Sequence, residues 1–465
     1  MNKHFILAFS SLLVFSLASC GGSNPPASSE TTSEKKPEEY EEQGSEHAKP
    51  YSITNNLGEN AESELVVQWQ NEAGSLDQRV QITTADYVDF TYAHNVDATE
   101  RILDHEILTE KKLGDYPTRG IYKANITGLE PGTDYIYRIG ASDNWSETYY
   151  HTTAEGEASE FSFTVCSDPQ APTHVEMSNT LTKANEYDPD HRFFICNGDI
   201  VNDMGKAPSE IASYTAAATE FNRYKPIAVS QGNHDTYGTT GDNVYLFGEA
   251  TVFNSYVTFP DNGFEDDPTK SNSYYYYYNN VLFIVMNTLI KDEDYDRQAD
   301  WLIDVLEANK ESGRGEYIIV NSHIGPIGNR YGDKWKESPI RNTYTPIFNK
   351  YKVDCVFYGH DHTYARTNPI VIDGTMDLKT VDTTPDTENG VIYSIVGATG
   401  PKFYGEDDKS YQTNIWEIRT TAKADVEPGV FVNVRVKDDE LEVIAQKSDE
   451  EMTLLDSYTV PKKAR

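Results

Sequence analysis

The strongest constraint on this chain is a grammar repeated through its second half: six apolar, β-rich runs, each halted by a polar cluster. The runs are "EFSFTVCSD", "RFFICNGD", "KPIAVSQGNHD", "NVLFIVMNT", "EYIIVNSH" and "DCVFYGHDH". Between them lie segments of helical period, "SNTLTKANEY", "EIASYTAAATEFNRY" and "RQADWLIDVLEANK". The last places Trp301, Leu302, Val305 and Leu306 on one helical face. Strands alternating with helices predict crossover connections and a buried, largely parallel sheet. Ligands of such sheets collect at the C-terminal strand ends, where these polar clusters fall.

Taken in order, the strand ends supply Asp168, Asp199, then Asn233, His234 and Asp235, then His323, and finally His360 and His362. Residues two apart on an extended chain point the same way, so His360 and His362 are expected to aim at one spot. Carboxylates mixed with imidazoles suit Mn, Fe or Zn, whereas an all-oxygen set would suit Ca or Mg. Any one fragment is weak; the ordered series predicts a metal site.

Ahead of this region, from Tyr51 to about Thr153, short alternating runs such as "ELVVQWQ", "RVQITTA" and "TDYIYRIGA" are separated by turn chemistry, notably "LEPGT". They predict a small β-sandwich. "GIYKANITGLEPGTDYIYRIG" resembles a fibronectin type III-like module. It has no reactive cluster and reads as a structural spacer packed on the next domain. From about Gly429 the runs "GVFVNVRVK", "ELEVIAQ" and "LLDSYTV" are strands expected to complete that second domain. The "YYYYY" of Tyr274–Tyr278 reads as a strand with alternate rings in the core; stacking on a ring-bearing substrate is the other use.

Met1–Ser19 begins with a lysine and a histidine, then an apolar stretch short for a membrane span. "LASC" followed by "GG" resembles a bacterial lipoprotein signal, in which Cys20 is lipidated and becomes the N-terminus. Residues 20–50, rich in Ser, Glu, Pro and Lys, are expected to be a disordered tether. The expected location is extracytoplasmic, with membrane contact only through Cys20. The net charge of −36 offers none of the basic patches that nucleic acid requires. No nucleic-acid binding and no protein partner are expected. Cys166, Cys196 and Cys355 each sit inside an apolar run and are expected to be buried thiols.

The ordered donor set strongly resembles the calcineurin-like metallophosphoesterases, and among them the purple acid phosphatases. "GHDHTYAR" is similar to that group's GHxHxYxR ending, and the fibronectin-like module precedes the catalytic region as it does there. The resemblance implies an all-β sandwich over 51–155, then an α/β domain over 159–465 with two packed β-sheets flanked by helices. It implies two divalent or trivalent ions (Mn, Fe or Zn) bridged by Asp199. One ion would take Asp168 and His362 besides the bridge; the other, Asn233, His323 and His360. His234 would face the substrate, with Asp235 holding its ring. Two cations roughly 3.5–4 Å apart clamp a phosphate and lower the pKa of a bound water to about 7. The implied reaction is hydrolysis of a small phosphate ester by the resulting hydroxide.

Two departures stand out. Gln170 replaces a histidine found two residues after the first aspartate in many relatives; its amide oxygen is expected to ligate, with contact through a water or orientation of Asp168 as the other readings. Asn202 replaces the tyrosine whose phenolate colours the ferric iron of purple enzymes, so the protein is not expected to be purple. Asp203 reads as a helix cap or bracing group. Tyr364 and Arg366 either contact the phosphate or brace their loop, with bracing favoured. "GEDDKS" and "DGTMDLKTVDTTPDTENG" read as solvated loops. Phosphomonoesters are the first expected substrates and phosphodiesters the second. A surface binding protein with a decayed site is the rival of another class; it predicts lost ligands, and no core position is lost.

Overall fold

A computed structural model describes residues 48–465 except 88, 112–114, 142–143, 157–159, 206–207, 237–249, 265–271, 331–336 and 406–413. The expected signal segment, Cys20, most of the tether and most of "GEDDKS" lie outside the described residues.

Period-two alternation builds the N-terminal part. Along Leu65–Asn71, Val67 and Trp69 turn one way and Gln68 and Gln70 the other. This strand lies between Tyr51–Leu57 and Arg119–Ile126, with Thr99–Leu103 beyond, all antiparallel. A second sheet runs His94–Asp97, Arg79–Thr84, Asp134–Ala141 and Asn144–Trp145, and Tyr149–Thr152 also pairs with Asp134–Ala141. Trp69, Val80, Ile82, Tyr137 and Tyr149 fill one core cluster contributed by both sheets.

The carboxamide face does not meet water. Gln68 donates to the carbonyls of Asn254 and Val257 at 3.1 and 3.0 Å, and Gln70 to Ser255 at 2.6 Å. Asn56 donates to Thr258 at 2.8 Å and Asn55 to Asn222 at 2.7 Å. The sandwich is therefore packed on the catalytic region through side-chain amides bonded to backbone carbonyls. These bonds from buried amides to carbonyls of the other part hold only while the two parts stay together.

The catalytic region pairs two sheets. Among the described residues, six strands run in the order Ile227–Val229, Phe194–Cys196, Phe161–Cys166, Val430–Val436, Glu440–Lys447, Leu454–Pro461. The first three are parallel; the last three are the C-terminal strands, joined antiparallel to Phe161–Cys166 and to one another. The other sheet runs Tyr274–Tyr278, Val281–Met286, Tyr317–Ser322, Cys355–Tyr358, Ile392–Val396, Tyr364–Thr367, Trp416–Arg419, with a parallel centre from Val281–Met286 to Ile392–Val396. The sheets are thus mixed rather than one parallel sheet.

Phe163, Phe193, Tyr276 and Phe283 pack between the two sheets, with Phe163 and Phe283 edge to face at 5.0 Å. Helices Val175–Tyr187 and Pro208–Asn222 contribute to that same cluster, whereas Tyr295–Ser312 and Glu337–Lys350 cover the far face of the seven-stranded sheet. On Tyr295–Ser312, Leu302, Val305 and Leu306 are buried and Trp301 packs at their edge. The tyrosine run divides as a strand must: Tyr274, Tyr276 and Tyr278 enter the inter-sheet core, and Tyr275 and Tyr277 pack in the outer one. Both faces are covered, so neither set is left to stack on a substrate. Cys166, Cys196 and Cys355 are free and buried.

His151 is an uncompensated group in the N-terminal part. It is buried, and neither ring nitrogen has a hydrogen-bond partner among the described residues. Burial pulls its pKa down to about 4, against the pull of Asp134. The unfolded chain therefore takes the proton first, and stability present above pH 6.5 is lost as pH falls towards 4. Between pH 7.5 and 4.5 this one ring should cost about 3 kcal/mol. Urea unfolding of His151→Leu should show a correspondingly flatter pH dependence than wild type over that interval.

Candidate metal centre

Each expected donor follows the C-terminal end of a strand. Asp168 lies two residues past Phe161–Cys166, Asp199 past Phe194–Cys196, Asn233 past Ile227–Val229, His323 next to Tyr317–Ser322, and the paired histidines past Cys355–Tyr358. Four of them sit in the left-handed region: Asp168 at φ 51°, Asp199 at 54°, His360 at 71° and His362 at 51°. Such conformations cost roughly 1–3 kcal/mol each for a residue with a Cβ. Close backbone approach makes the turns possible. A Cβ on Gly198, itself at φ 83°, would stand 2.6 Å from the Gly232 nitrogen, and one on Gly359 would collide with Ser167 and Asp168.

These turns also correct the expected geometry of the paired histidines. The segment is bent, not extended, and the two rings serve different groups. Asp199, His323 and His360 bring ligand atoms within 4.8 Å of one another, and so do Asp168, Asp199 and His362. Asp199 is common to both. Asn233 joins the first group, its Oδ1 lying 3.0 Å from His323 Nε2 and 2.9 Å from His360 Nδ1.

The backbone sets the tautomers. His323 Nδ1 donates to the Asn197 carbonyl at 2.7 Å, and His362 Nδ1 to that of Lys402 at 2.6 Å. Their Nε2 atoms then face Asp199 and Asp168, each 3.4 Å away. This is how a ligating histidine is ordinarily oriented. Burial raises Asp168 to about 7 and lowers His362 to about 3. Burial opposes charge on His323 as well, yet the Asp199 carboxylate outweighs it and lifts the imidazole to about 10. Buried oxygen and nitrogen donors, converging in two groups on one shared carboxylate, fit a pair of Mn, Fe or Zn ions.

Comparison with known proteins agrees. Residues 161–364 match the calcineurin-like phosphoesterase family, and residues 50–153 match the purple acid phosphatase N-terminal domain. This chain carries a calcineurin-like phosphoesterase domain behind a purple acid phosphatase N-terminal domain. An uncharacterized protein of Mycobacterium tuberculosis is 21% identical over 74% of this chain and 68% of its own length. Purple acid phosphatase 1 of Ipomoea batatas is 25% identical over 56% of this chain and 54% of its own. In fold, the chain is similar to the purple acid phosphatase PPD1 of yellow lupin (Lupinus luteus) seeds. The TM-score is 0.73 at 17% identity, over 90% of this chain and 75% of that one.

The protein is a hydrolase of phosphoric esters, and the surroundings of its donors differ in places from expectation. His234 stands at the edge of the site, its backbone N–H donating to Asp199 Oδ1 at 2.8 Å. Asp235 does not hold its ring. That carboxylate accepts the N–H groups of Asp199, Ile200 and Gly232, each at 2.8 Å, and so locks two donor loops together. The His234 ring is held at Nδ1 by the Asn202 carbonyl, 2.5 Å away.

Gln170 lies inside the phosphoesterase centre, but its oxygen is turned away from the ligand groups: Nε2 donates to Asp199 Oδ2 at 2.7 Å and Oε1 accepts from Lys402. In this orientation the amide oxygen accepts from the Lys402 ammonium rather than facing either ligand group. Tyr364 and Arg366 brace; both bond Asp456 on the last strand, at 3.0 and 2.6 Å. Lys402 is the residue that reading the sequence missed. It follows Ile392–Val396, parallel to Cys355–Tyr358, and so belongs to the same sheet edge. The signal was present in "IYSIVGATGPK", another apolar run ending in a glycine turn, but a lysine is no metal ligand.

Asp235→Ala should strip acceptors from three buried N–H groups, at about 1–3 kcal/mol for each one left unsatisfied. The denaturant midpoint of chelator-treated protein should fall accordingly, with Asp235→Asn falling less. Equal midpoints for wild type and Asp235→Ala would show that the lock is dispensable.

Proposed function

We propose that this phosphoesterase hydrolyses phosphomonoesters with two metal ions held by Asp168, Asp199 and His362 on one side and Asp199, Asn233, His323 and His360 on the other. The carrying observation is the pair of ligand groups sharing Asp199. Bound there, two cations would clamp a phosphate and acidify a water.

The chain's own side chains do the rest. His234, fixed at Nδ1, works through Nε2, where it steadies charge on the phosphate or gives a proton to the leaving oxygen. Lys402 adds a cation beside the groups; burial lowers its pKa, against the pull of Asp199 and Asp168. Asn202 works through its backbone, receiving His234 at its carbonyl and donating to Glu210 at 2.7 Å. With no phenolate at that position, we assign colourless ions rather than a purple ferric centre.

We also assign the N-terminal sheets to a fibronectin type III-like module, on the strand alternation and the "LEPGT" turn. From "LASCGG" we infer lipidation of Cys20 outside the cytoplasm; Cys20→Ser should then leave the membrane fraction.

The deciding experiment assays p-nitrophenyl phosphate and bis-p-nitrophenyl phosphate, with and without Mn, on protein of measured metal content. Faster turnover of the monoester is expected, with about 100-fold loss in Asn233→Ala and in His234→Ala. Faster turnover of the diester would replace the substrate class and keep the centre. Asp168→Ala should retain one ion per chain and Asp199→Ala neither; unchanged rates and metal content in all four would refute the assignment.

A further inference from the structure

The N-terminal domain reaches a segment that lies behind His234. Tyr116, from the segment that follows helix His105–Glu110, is buried and sends its hydroxyl across to donate to the Met204 carbonyl. Its ring packs against Tyr256 of the catalytic region at 6.3 Å. Met204 closes a short strap that begins at Asp199. The Met204 N–H donates to the His234 carbonyl at 3.2 Å, and the Asn202 carbonyl, two residues earlier, accepts from His234 Nδ1. The His234 backbone and ring are thus both tied to residues 202–204. Glu210, on helix Pro208–Asn222, holds the strap from the catalytic side through the Asn202 N–H. Tyr116 holds it from the other domain.

We propose that Tyr116 is a positioning residue for His234, acting through the 202–204 strap, so that the N-terminal domain sets the orientation of a catalytic imidazole. The inference rests on the role given to His234 above. A ring held at one nitrogen by a carbonyl keeps its other nitrogen in place only as well as that carbonyl is fixed. Losing the Tyr116 bond leaves a buried carbonyl unsatisfied in the strap and lets it shift. The consequence falls on the imidazole, because Asp199, the metal ligand at the head of the strap, is pinned separately through its N–H on Asp235.

The test is Tyr116→Phe in the full chain, alone and combined with His234→Ala. The single variant should lose about tenfold in kcat, with KM and metal content unchanged. The loss should be larger for alkyl phosphates than for p-nitrophenyl phosphate, because a poor leaving group needs the proton more. In the His234→Ala background the substitution should change nothing further. Lys123→Met serves as control: it breaks bonds from the same domain to Phe259 and Asp261, away from the strap, and should leave kcat as it was. Equal losses from Tyr116→Phe in both backgrounds, an equal loss from Lys123→Met, or no loss at all would overturn the proposal. If the wild type turns over no phosphate ester, the proposed function fails, and the strap is read separately by NMR of zinc-loaded, nitrogen-15 histidine-labelled protein. The His234 Nδ1–H should be protected from exchange in wild type and lose protection in Tyr116→Phe; unaltered protection would sink the positioning role by itself.

Discussion

Four carboxylates, those of Asp168, Asp199, Asp235 and Asp361, are buried past strand ends of the two packed sheets, and the centre is built around how their charge is met. An ionised carboxylate taken out of water needs hydrogen bonds or a partner charge. Asp235 is met by three backbone N–H groups, and Asp361 by those of Asn329 and Arg330 at 2.5 and 2.8 Å. Those two are fixed as loop anchors. Asp168 and Asp199 also receive backbone donors, but keep oxygens turned to imidazoles. Burial holds Asp168 near 7, and Asp199 keeps His323 protonated to about 10. Protons here do what cations do better. Metal ligands must shed protons to bind, so a pair of ions entering there would take over from those protons the charge that burial leaves unmet.

The same loops carry strain and hold one another in it. Four left-handed non-glycine residues in one centre would relax if their neighbours allowed it. Bonds from loop to loop prevent that: the Asp168 N–H donates to Gly198 at 3.1 Å, that of Gly359 to His323 at 3.0 Å, and that of Thr399 to Ser167 at 2.7 Å. Each donor loop is thereby fastened to a loop from another strand. The ladder ends with the last C-terminal strand, where Tyr364 and Arg366 close on Asp456. Preorganisation is thus spread over most of the catalytic region, which is why its C-terminal strands belong to the site's support.

Much of this was legible in the sequence, because apolar runs ending in polar residues report both a strand and the end of it that faces a ligand. The donors, the buried thiols and the alternation of the tyrosine run all follow from that pattern. Helix Glu337–Lys350 was not legible: Pro339 and Pro346 argue against it locally, and it exists because Ile340, Tyr344 and Phe348 share a face buried on the outer core. The roles of Asp235 and Lys402 were hidden for a related reason. Spacing shows which residues share an edge, but a carboxylate that caps backbone N–H groups has the same spelling as one that orients a ring. The alternation of Gln68 and Gln70 with Val67 and Trp69 marks two faces, and only the second domain lying on the amides shows that their face is buried.

An anion approaching a chain of net charge −36 meets two different fields. At physiological salt, exposed carboxylates more than about 8 Å away are largely screened, so most of that charge slows encounter without deciding affinity. Inside that distance fixed groups offset part of the carboxylate charge. Asp168 and Asp199 are paired with imidazoles, Lys402 adds an ammonium through Gln170, and His234 supplies a further donor. Gln170 tethers that lysine at the groups' edge, its Oε1 accepting from the ammonium and its Nε2 donating to Asp199, which places positive charge where an otherwise strongly acidic surface would repel a phosphate.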